Sequence, residues 1–244
     1  MSEQSELEKP GSKKNKRAKG KRSIFSQRHK WNKAAPMRNI YNGLLRGVLS
    51  MIGKFNIVGS EHIPATGGGI VIINHVHWLD PVLLLTCTNR TIVPLAKVEA
   101  FESFLARIMV APYGAIPVHR GEVDLQAIRA ASEVIQEGGL VLISPEGTRS
   151  KTGALIQAQE GLAFLATRND ALIIPVALVG TTEAYKHLWK LQRANFNINI
   201  GEPFKLGNPG GGKVTRDQLH SMTDYAMRRL AALLPAEMRG VYGY

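Results

Sequence analysis

Cysteine is almost missing from this 244-residue chain: Cys87 stands alone. That excludes an internal disulfide framework and fits a reducing compartment. Cys87 closes the apolar stretch Leu83–Cys87, where a small buried hydrophobe is a simpler reading than a nucleophile. Long apolar runs are missing too. No stretch of about 18 apolar residues occurs, so no membrane-spanning helix is expected. The basic start is not followed by an apolar segment with a small-residue cleavage site, so no secretory leader is expected. There is no Gly-x-Ser-x-Gly elbow and no His-Glu-x-x-His pair. Covalent serine catalysis and a zinc site of that kind therefore have no support, and no metal or cofactor is expected. No internal repeat is visible. Acidic side chains are scarce, 19 against 31 Lys and Arg, for a net charge of +12.

What is present begins with that charge, which is unevenly spread. Residues 1–40 hold twelve Lys and Arg against three Glu, so most of the excess belongs to a tail. Residues 1–35 are polar, basic and poor in aliphatics, the composition of a disordered segment. Such a tail serves as a solubilising arm, a nucleic-acid contact or an arm for anionic lipid, each Lys or Arg near an acidic bilayer being worth about 1 kcal/mol. In residues 36–53, Met37, Ile40, Tyr41, Leu44, Leu45, Val48, Leu49 and Ile52 recur at helical spacing, with Arg38, Asn42 and Arg46 on another side. This predicts an amphipathic helix that lies in a bilayer interface or packs on its own domain. A basic arm joined to such a helix suits an anionic membrane surface better than nucleic acid, for which no recognisable module follows.

Residues 54–244 are long enough for one domain with a sizeable core. Short β-branched runs at 55–59, 70–73, 91–96, 140–144, 172–177 and 197–201 read as strands,. Helical patterns follow Asp80 and cover 101–108, 122–137, 158–167 and 215–234. The alternation predicts a single α/β domain with a mostly parallel or mixed sheet flanked by helices.

Two polar clusters emerge where these strands end. Asn74-His75-Val76-His77-Trp78-Leu79-Asp80 follows Ile70–Ile73, and Pro145-Glu146-Gly147-Thr148-Arg149-Ser150 follows Leu140–Ser144. Five residues turn through about 140° net on a helix, so His75 and Asp80 cannot share one helical face. With His75 in a turn and Asp80 at a helix start, the chain can fold back and join them. A carboxylate on one imidazole nitrogen leaves the other as a base near neutral pH. The plainer alternative is that Asp80 caps a helix whose first residue is Pro81, with His75 a satisfied core histidine.

His-x4-Asp after one strand and Glu-Gly-Thr-Arg after another, in that order, resemble the glycerolipid acyltransferase family, which includes the 1-acylglycerol-3-phosphate acyltransferases. The resemblance runs over about residues 50–205 and implies a glycerol-3-phosphate acyltransferase-like fold with His75 and Asp80 as the catalytic pair. Lys97-Val98-Glu99-Ala100-Phe101 and Gly114-Ala115-Ile116-Pro117-Val118-His119-Arg120 resemble a second block, whose Lys and Arg are associated with the acceptor phosphate. Glu146, Gly147, Thr148 and Arg149 match the third block and join Lys97 and Arg120 as implied substrate-binding residues. Arg offers a planar fork and Lys a point charge to a phosphate; equally, all three cations can be solvated surface charges. Glu146 orients Arg149 or the acceptor, or only braces its turn. Backbone N–H groups around Gly147 are candidate oxyanion donors. Ile173–Val176 resembles a fourth, apolar block, and Leu234–Tyr242 the ending of some relatives. His77 stands where Ser is frequent and adds a rival imidazole, His119 replaces Asp or Asn, Pro117 an aromatic, and Gln159-Glu160-Gly161 lacks a common Lys.

What the resemblance implies is acyl transfer from acyl-CoA or acyl-carrier protein, as co-substrate, to the sn-2 hydroxyl of 1-acylglycerol 3-phosphate, giving phosphatidate for phospholipid synthesis. Glycerol 3-phosphate or another lysophospholipid is the alternative acceptor, and a non-catalytic membrane-surface module the alternative from another class. The expected location is peripheral, on the cytoplasmic face of a membrane.

Overall fold

The computed structural model describes residues 35–102, 104, 108–109, 111–119, 124–190, 192–207 and 213–243. Residues 1–34 of the expected tail, part of the expected 101–108 helix, and Arg120 lie outside that set.

Helix α1 (Ala35–Ile52) leads directly into β1 (Gly53–Val58). The chain continues through β2 (Gly69–Ile73), α2 (Leu79–Cys87), β3 (Ile92–Lys97), β4 (Ile116–Val118), α3 (Leu125–Gln136) and β5 (Leu140–Ile143). It closes with α4 (Gly161–Arg168), β6 (Leu172–Val179), α5 (Thr181–Trp189), β7 (Ala194–Ile200) and α6 (Arg216–Ala231). Among the described residues these strands make one sheet in the order β1-β7-β6-β2-β5-β3-β4. Strands β6, β2, β5, β3 and β4 are mutually parallel. Strand β7 runs antiparallel to β6 and carries β1 parallel beside it. The sheet is thus the mixed α/β sheet expected.

Strand β2 lies at the centre and is buried along its whole length, the pattern of a strand covered on both faces. Its side chains alternate between two cores. Ile70 and Ile72 face α3, α4 and α6 through Ala131, Val134, Leu162, Leu165 and Met227. Val71 and Ile73 face α1 and α2 through Leu49, Leu83 and Leu84. The approach to β2 requires Gly68, because a Cβ there would sit 1.8 Å from the Ile135 carbonyl oxygen. Since the five parallel strands end on the same edge, the loops after β2, β5, β3 and β4 open together, where open α/β sheets place ligands.

Several elements depart from the sequence pattern, among them β4, which lies outside the strands read above. Helix α5 was not expected, and the closing helix is shorter than 215–234. Its start is a capping box: Gln218 N donates to Thr215 Oγ1 at 3.3 Å and Thr215 N to Gln218 Oε1 at 2.8 Å,.

Helix α1 exists where the spacing puts it but is turned differently from expectation. Arg38 is buried and donates to Thr91 Oγ1. Asn42 donates to the Leu85 carbonyl at 3.2 Å and accepts from the Tyr113 hydroxyl. Of the expected polar face, Arg38 and Asn42 therefore point inward, alongside Tyr41, Leu45, Leu49 and Ile52, because they find partners under the helix, while Arg46 stays exposed. Ile40, Leu44, Val48 and Met51 face outward, 58–78% exposed. No helix of the described residues is long and apolar enough to cross a membrane.

Candidate active site

The site grows from the end of β2. Asn74 is buried and acts as a strand extension, its side chain donating to the Leu178 carbonyl at 2.9 Å and accepting from Leu178 N at 2.8 Å. This fixes the direction in which the chain leaves the sheet. His75 is then held from the β5 loop: its N–H donates to Glu146 Oε1 at 3.0 Å, and its carbonyl accepts from Ser150 N at 2.8 Å.

Beyond His75 the chain turns into α2, and Asp80 comes back beneath the turn. Asp80 Oδ2 accepts from Val76 N and His77 N, both at 2.7 Å, and lies 3.2 Å from His75 Nδ1. The folding back expected from the spacing is realised, though not through the cap expected of Asp80-Pro81. Helix α2 begins at Leu79 after Trp78, so Asp80 lies inside its first turn. Its carboxylate serves the preceding loop because three donors converge there. The Asp80 side chain is 0% exposed against 14% for His75. With Oδ2 accepting two N–H groups, the proton shared with the imidazole sits on Nδ1, and Nε2 keeps its lone pair.

His77, the rival imidazole, has no carboxylate on its ring among the described residues, where its Nδ1 accepts from Leu79 N at 3.4 Å. Burial lowers its pKa; Asp80 opposes this, and the positive charge of Arg149 adds to the lowering.

The Glu-Gly-Thr-Arg turn divides its labour differently from expectation. Glu146 is 3% exposed, and its second oxygen accepts from Ile156 N at 3.1 Å. Both oxygens thus hold backbone, so Glu146 braces its turn and the His75 backbone, the plainer of the roles read for it above. Its pKa is raised, chiefly by burial, although the bonds from Ile156 and His75 pull it down. Gly147 adopts φ 68°, the left-handed conformation for which glycine is suited. Its N–H donates to the Ser144 carbonyl at 3.0 Å and is thereby committed within the turn. Thr148 and Arg149 are exposed beyond the turn.

Lys97 ends β3 at the same edge, paired with Glu99 at 2.7 Å. It is two strands from β2, about 10 Å across the sheet. Arg120 lies outside the described residues, but its neighbour His119 follows β4 at that edge. His119 also shows what the motif search passed over: His119 Nδ1 and N lie 2.9 and 3.0 Å from Asp124 Oδ2. This repeats the His-x4-Asp spacing of the first pair, a signal available in the sequence. Here, however, the ring is exposed, and Asp124 also caps α3 through Gln126 N and Ala127 N.

An imidazole with one nitrogen fixed by a buried carboxylate and the other open at a sheet edge can take a proton from a hydroxyl. Comparison with known proteins narrows the chemistry. Residues 54–179 match the family model described as Acyltransferase. The chain is 26% identical over 190 residues to a 1-acyl-sn-glycerol-3-phosphate acyltransferase of Bacillus subtilis (strain 168), covering 78% of this chain and 92% of that protein. To the protein of that name from Borreliella burgdorferi it is 29% identical over 134 residues, 54% of each chain, so it spans about half of that relative. The crystal structure of the 1-acyl-sn-glycerophosphate (LPA) acyltransferase, PlsC, from Thermotoga maritima is similar with a TM-score of 0.61 and 21% identity, covering 86% of this chain and 84% of that one. That likeness is one of fold.

Proposed function

Because this chain belongs to the Acyltransferase family, we propose that it transfers a fatty acyl group from acyl-CoA or acyl-carrier protein to the sn-2 hydroxyl of 1-acylglycerol 3-phosphate, giving phosphatidate for phospholipid synthesis. The observation that carries the reading is the 3.2 Å contact between His75 Nδ1 and the buried Asp80. His75 Nε2 takes the hydroxyl proton as the oxygen attacks the thioester carbonyl. The C–O bond forms, the C–S bond breaks, and the proton returns to the departing thiolate. Asp80 supports the imidazolium between those steps. A thiolate, with thiol pKa of about 8.5, leaves readily, so no acyl-enzyme is required. The acceptor is drawn from the relatives' names and from the cations Lys97, Arg120 and Arg149.

The test is purified protein with a labelled acyl thioester and a panel of acceptors that includes glycerol 3-phosphate and other lysophospholipids. His75→Ala is expected to lower kcat by about 10²-fold or more, whereas His77→Ala, whose ring lacks a carboxylate, keeps kcat within about tenfold. Full transfer by folded His75→Ala ends the assignment.

The proposed place of action is peripheral, on the anionic cytoplasmic face of a membrane. Supporting it are the outward apolar stripe of α1 and the basic residues preceding it, with Phe104 and Ile108 exposed nearby. The Tyr41 hydroxyl on α1 reaches the Ile108 carbonyl, so Ile108 adjoins the helix.

A further inference from the structure

The stretch that follows α6 has no part in the reaction as derived so far. It runs through two short turns, Ala236–Met238 and Gly240–Tyr242. Leu234 and Tyr242 anchor it, both buried in the core on the side of α3, α4 and α6. Residues 234–243 make a strap over the loop that leads from the Glu-Gly-Thr-Arg turn to α4.

That loop, Leu155 to Gln159, forms neither helix nor strand, so its backbone groups find partners outside it. They divide between two sides. Leu155 N donates to the Met238 carbonyl at 2.9 Å, and the Leu155 carbonyl accepts from Val241 N at 3.3 Å. Ala158 N donates to the Tyr242 hydroxyl at 3.0 Å. Those bonds belong to the strap. Ile156 N donates to Glu146 Oε2 at 3.1 Å, and Gln159 N to the Pro145 carbonyl at 2.8 Å. Those belong to the turn beside the base. Glu146 Oε1 in turn holds the His75 N–H at 3.0 Å. An unbroken series of contacts therefore joins the strap to the backbone of the catalytic imidazole.

The fit leaves little slack. Gly240 adopts φ 52°, and a Cβ there would sit 2.0 Å from the Leu155 carbonyl oxygen, so only glycine lets the strap lie this close. The Tyr242 hydroxyl is used twice, accepting from Ala158 N and donating to Asp224 Oδ1 on α6 at 3.4 Å. Gln157 Nε2, from the same loop, donates to that oxygen at 3.2 Å. Burial raises the Tyr242 pKa; the bond from Ala158 lowers it, and the charges of Asp224 and Glu146 raise it again. A side chain that merely covered the core would need no hydroxyl. This one is spent on the loop.

We propose that residues 234–243 position the catalytic turn, with Tyr242 and Gly240 fixing the loop at Leu155 and Ala158 so that Ile156 and Glu146 hold the His75 backbone in register with Asp80. Tyr242 is a positioning residue and touches no substrate. The inference rests on the acyl-transfer reading only for its kinetic consequence; the mechanical coupling from strap to His75 stands apart from it.

Amide hydrogen exchange, followed residue by residue by NMR on the full chain, tests the coupling. Tyr242→Phe keeps the ring in the core and removes only the hydroxyl. Val134→Ala, which empties part of the same core from α3, is the control for general loss of stability. Tyr242→Phe is expected to speed exchange at Ala158, Ile156 and His75 by about tenfold beyond any rise in β2, a pattern that Val134→Ala does not give. Gly240→Ala, which drives a methyl group into the Leu155 carbonyl, is expected to do the same more strongly. In transfer assays well below the thermal midpoint, Tyr242→Phe should lower kcat about tenfold with little change in either KM, while Val134→Ala keeps kcat. Unchanged exchange at His75 in Tyr242→Phe overturns the coupling. Faster exchange with an unchanged kcat, or an equal fall of kcat in Val134→Ala, overturns the positioning role. Absence of transfer by the unmutated protein sinks the catalytic reading alone, because the exchange comparison needs no turnover.

Discussion

Asp80 concentrates three donors on one oxygen, and that convergence separates the working imidazole from its neighbour two residues on. The two backbone N–H groups at 2.7 Å hold the carboxylate whatever the state of the ring, so the alignment of His75 does not depend on the ring itself. Asp80→Asn tests this. The amide oxygen can still accept from Val76, His77 and His75 Nδ1, but the side chain loses the negative charge that supports the imidazolium, and its NH2 takes the buried place of Oδ1. The variant is expected to keep its fold and thermal midpoint to within a few degrees while kcat falls about 10²- to 10⁴-fold. Stopped acyl transfer alongside thermal denaturation distinguishes this from a merely structural role, in which stability and activity fall together. Lys97 shows the other side of residue-scale reading. The sequence motif places it at a sheet edge, but only coordinates reveal Glu99 at 2.7 Å, and that ion pair weakens its claim on a substrate phosphate.

The strands were the most legible elements, because β-branched runs such as Ile70–Ile73 and Leu172–Ala177 have few alternatives to burial in a sheet. Helix α5 is hard to read because Thr181–Trp189, though Ala184, Tyr185, Leu188 and Trp189 recur at helical spacing, is only 9 residues long and gives under three turns over which to see the period,. The orientation of α1 was misjudged for a different reason: periodicity identifies faces without saying which one meets the protein. Arg38 and Asn42 bond Thr91, Leu85 and Tyr113, partners far away in sequence, and those bonds reverse the assignment that polarity alone suggests. The start of α3 carries a prediction of its own. Burial of Asp124 favours its protonation, but hydrogen bonds from Ala127, His119 and Gln126 outweigh that and hold its pKa below the usual aspartate range. A depressed carboxylate contributes stability that is fully present above the unfolded-state pKa and is lost as pH falls through the folded one. Asp124→Asn keeps an N-cap oxygen for Gln126 and Ala127 but turns a donor toward His119. It should cost about 1 kcal/mol at neutral pH. The difference from the unmutated protein should begin to shrink below the ordinary aspartate value of about 3.9 and vanish once the pH is under the depressed one. Urea unfolding at a series of pH values reads this directly; a gap that stays constant into acid would remove Asp124 ionisation as its source.

For the whole molecule, the arrangement of layers decides which surface lies beside the candidate site. Helix α1 packs on α2, which begins at the catalytic turn, so a surface that seats α1 also lies near His75. Ile40, Leu44, Val48 and Met51 continue outward from that helix, and Trp78 beside His77 is more than half exposed. Exposed large side chains in one band call for a covering surface. The twelve Lys and Arg of residues 1–40 favour a negatively charged one, each contributing about 1 kcal/mol near anionic lipid before salt screening. The stripe and the charge make separable predictions. Leu44→Glu combined with Val48→Glu leaves the inward face of α1 untouched, so thermal stability should hold, yet flotation with vesicles containing phosphatidylserine should drop about tenfold or more. Raising the salt concentration should weaken flotation of the unmutated protein, and neutral vesicles should retain it only weakly. Transfer to a short-chain acceptor dissolved below its micellar concentration should survive in the double variant, whereas transfer to the same headgroup presented in vesicles should fall. Equal flotation of the two proteins would mean that the apolar stripe does not meet the bilayer. Equal loss of transfer in both assays would place the damage in the catalytic domain instead, and the division of labour between α1 and the sheet edge would not stand.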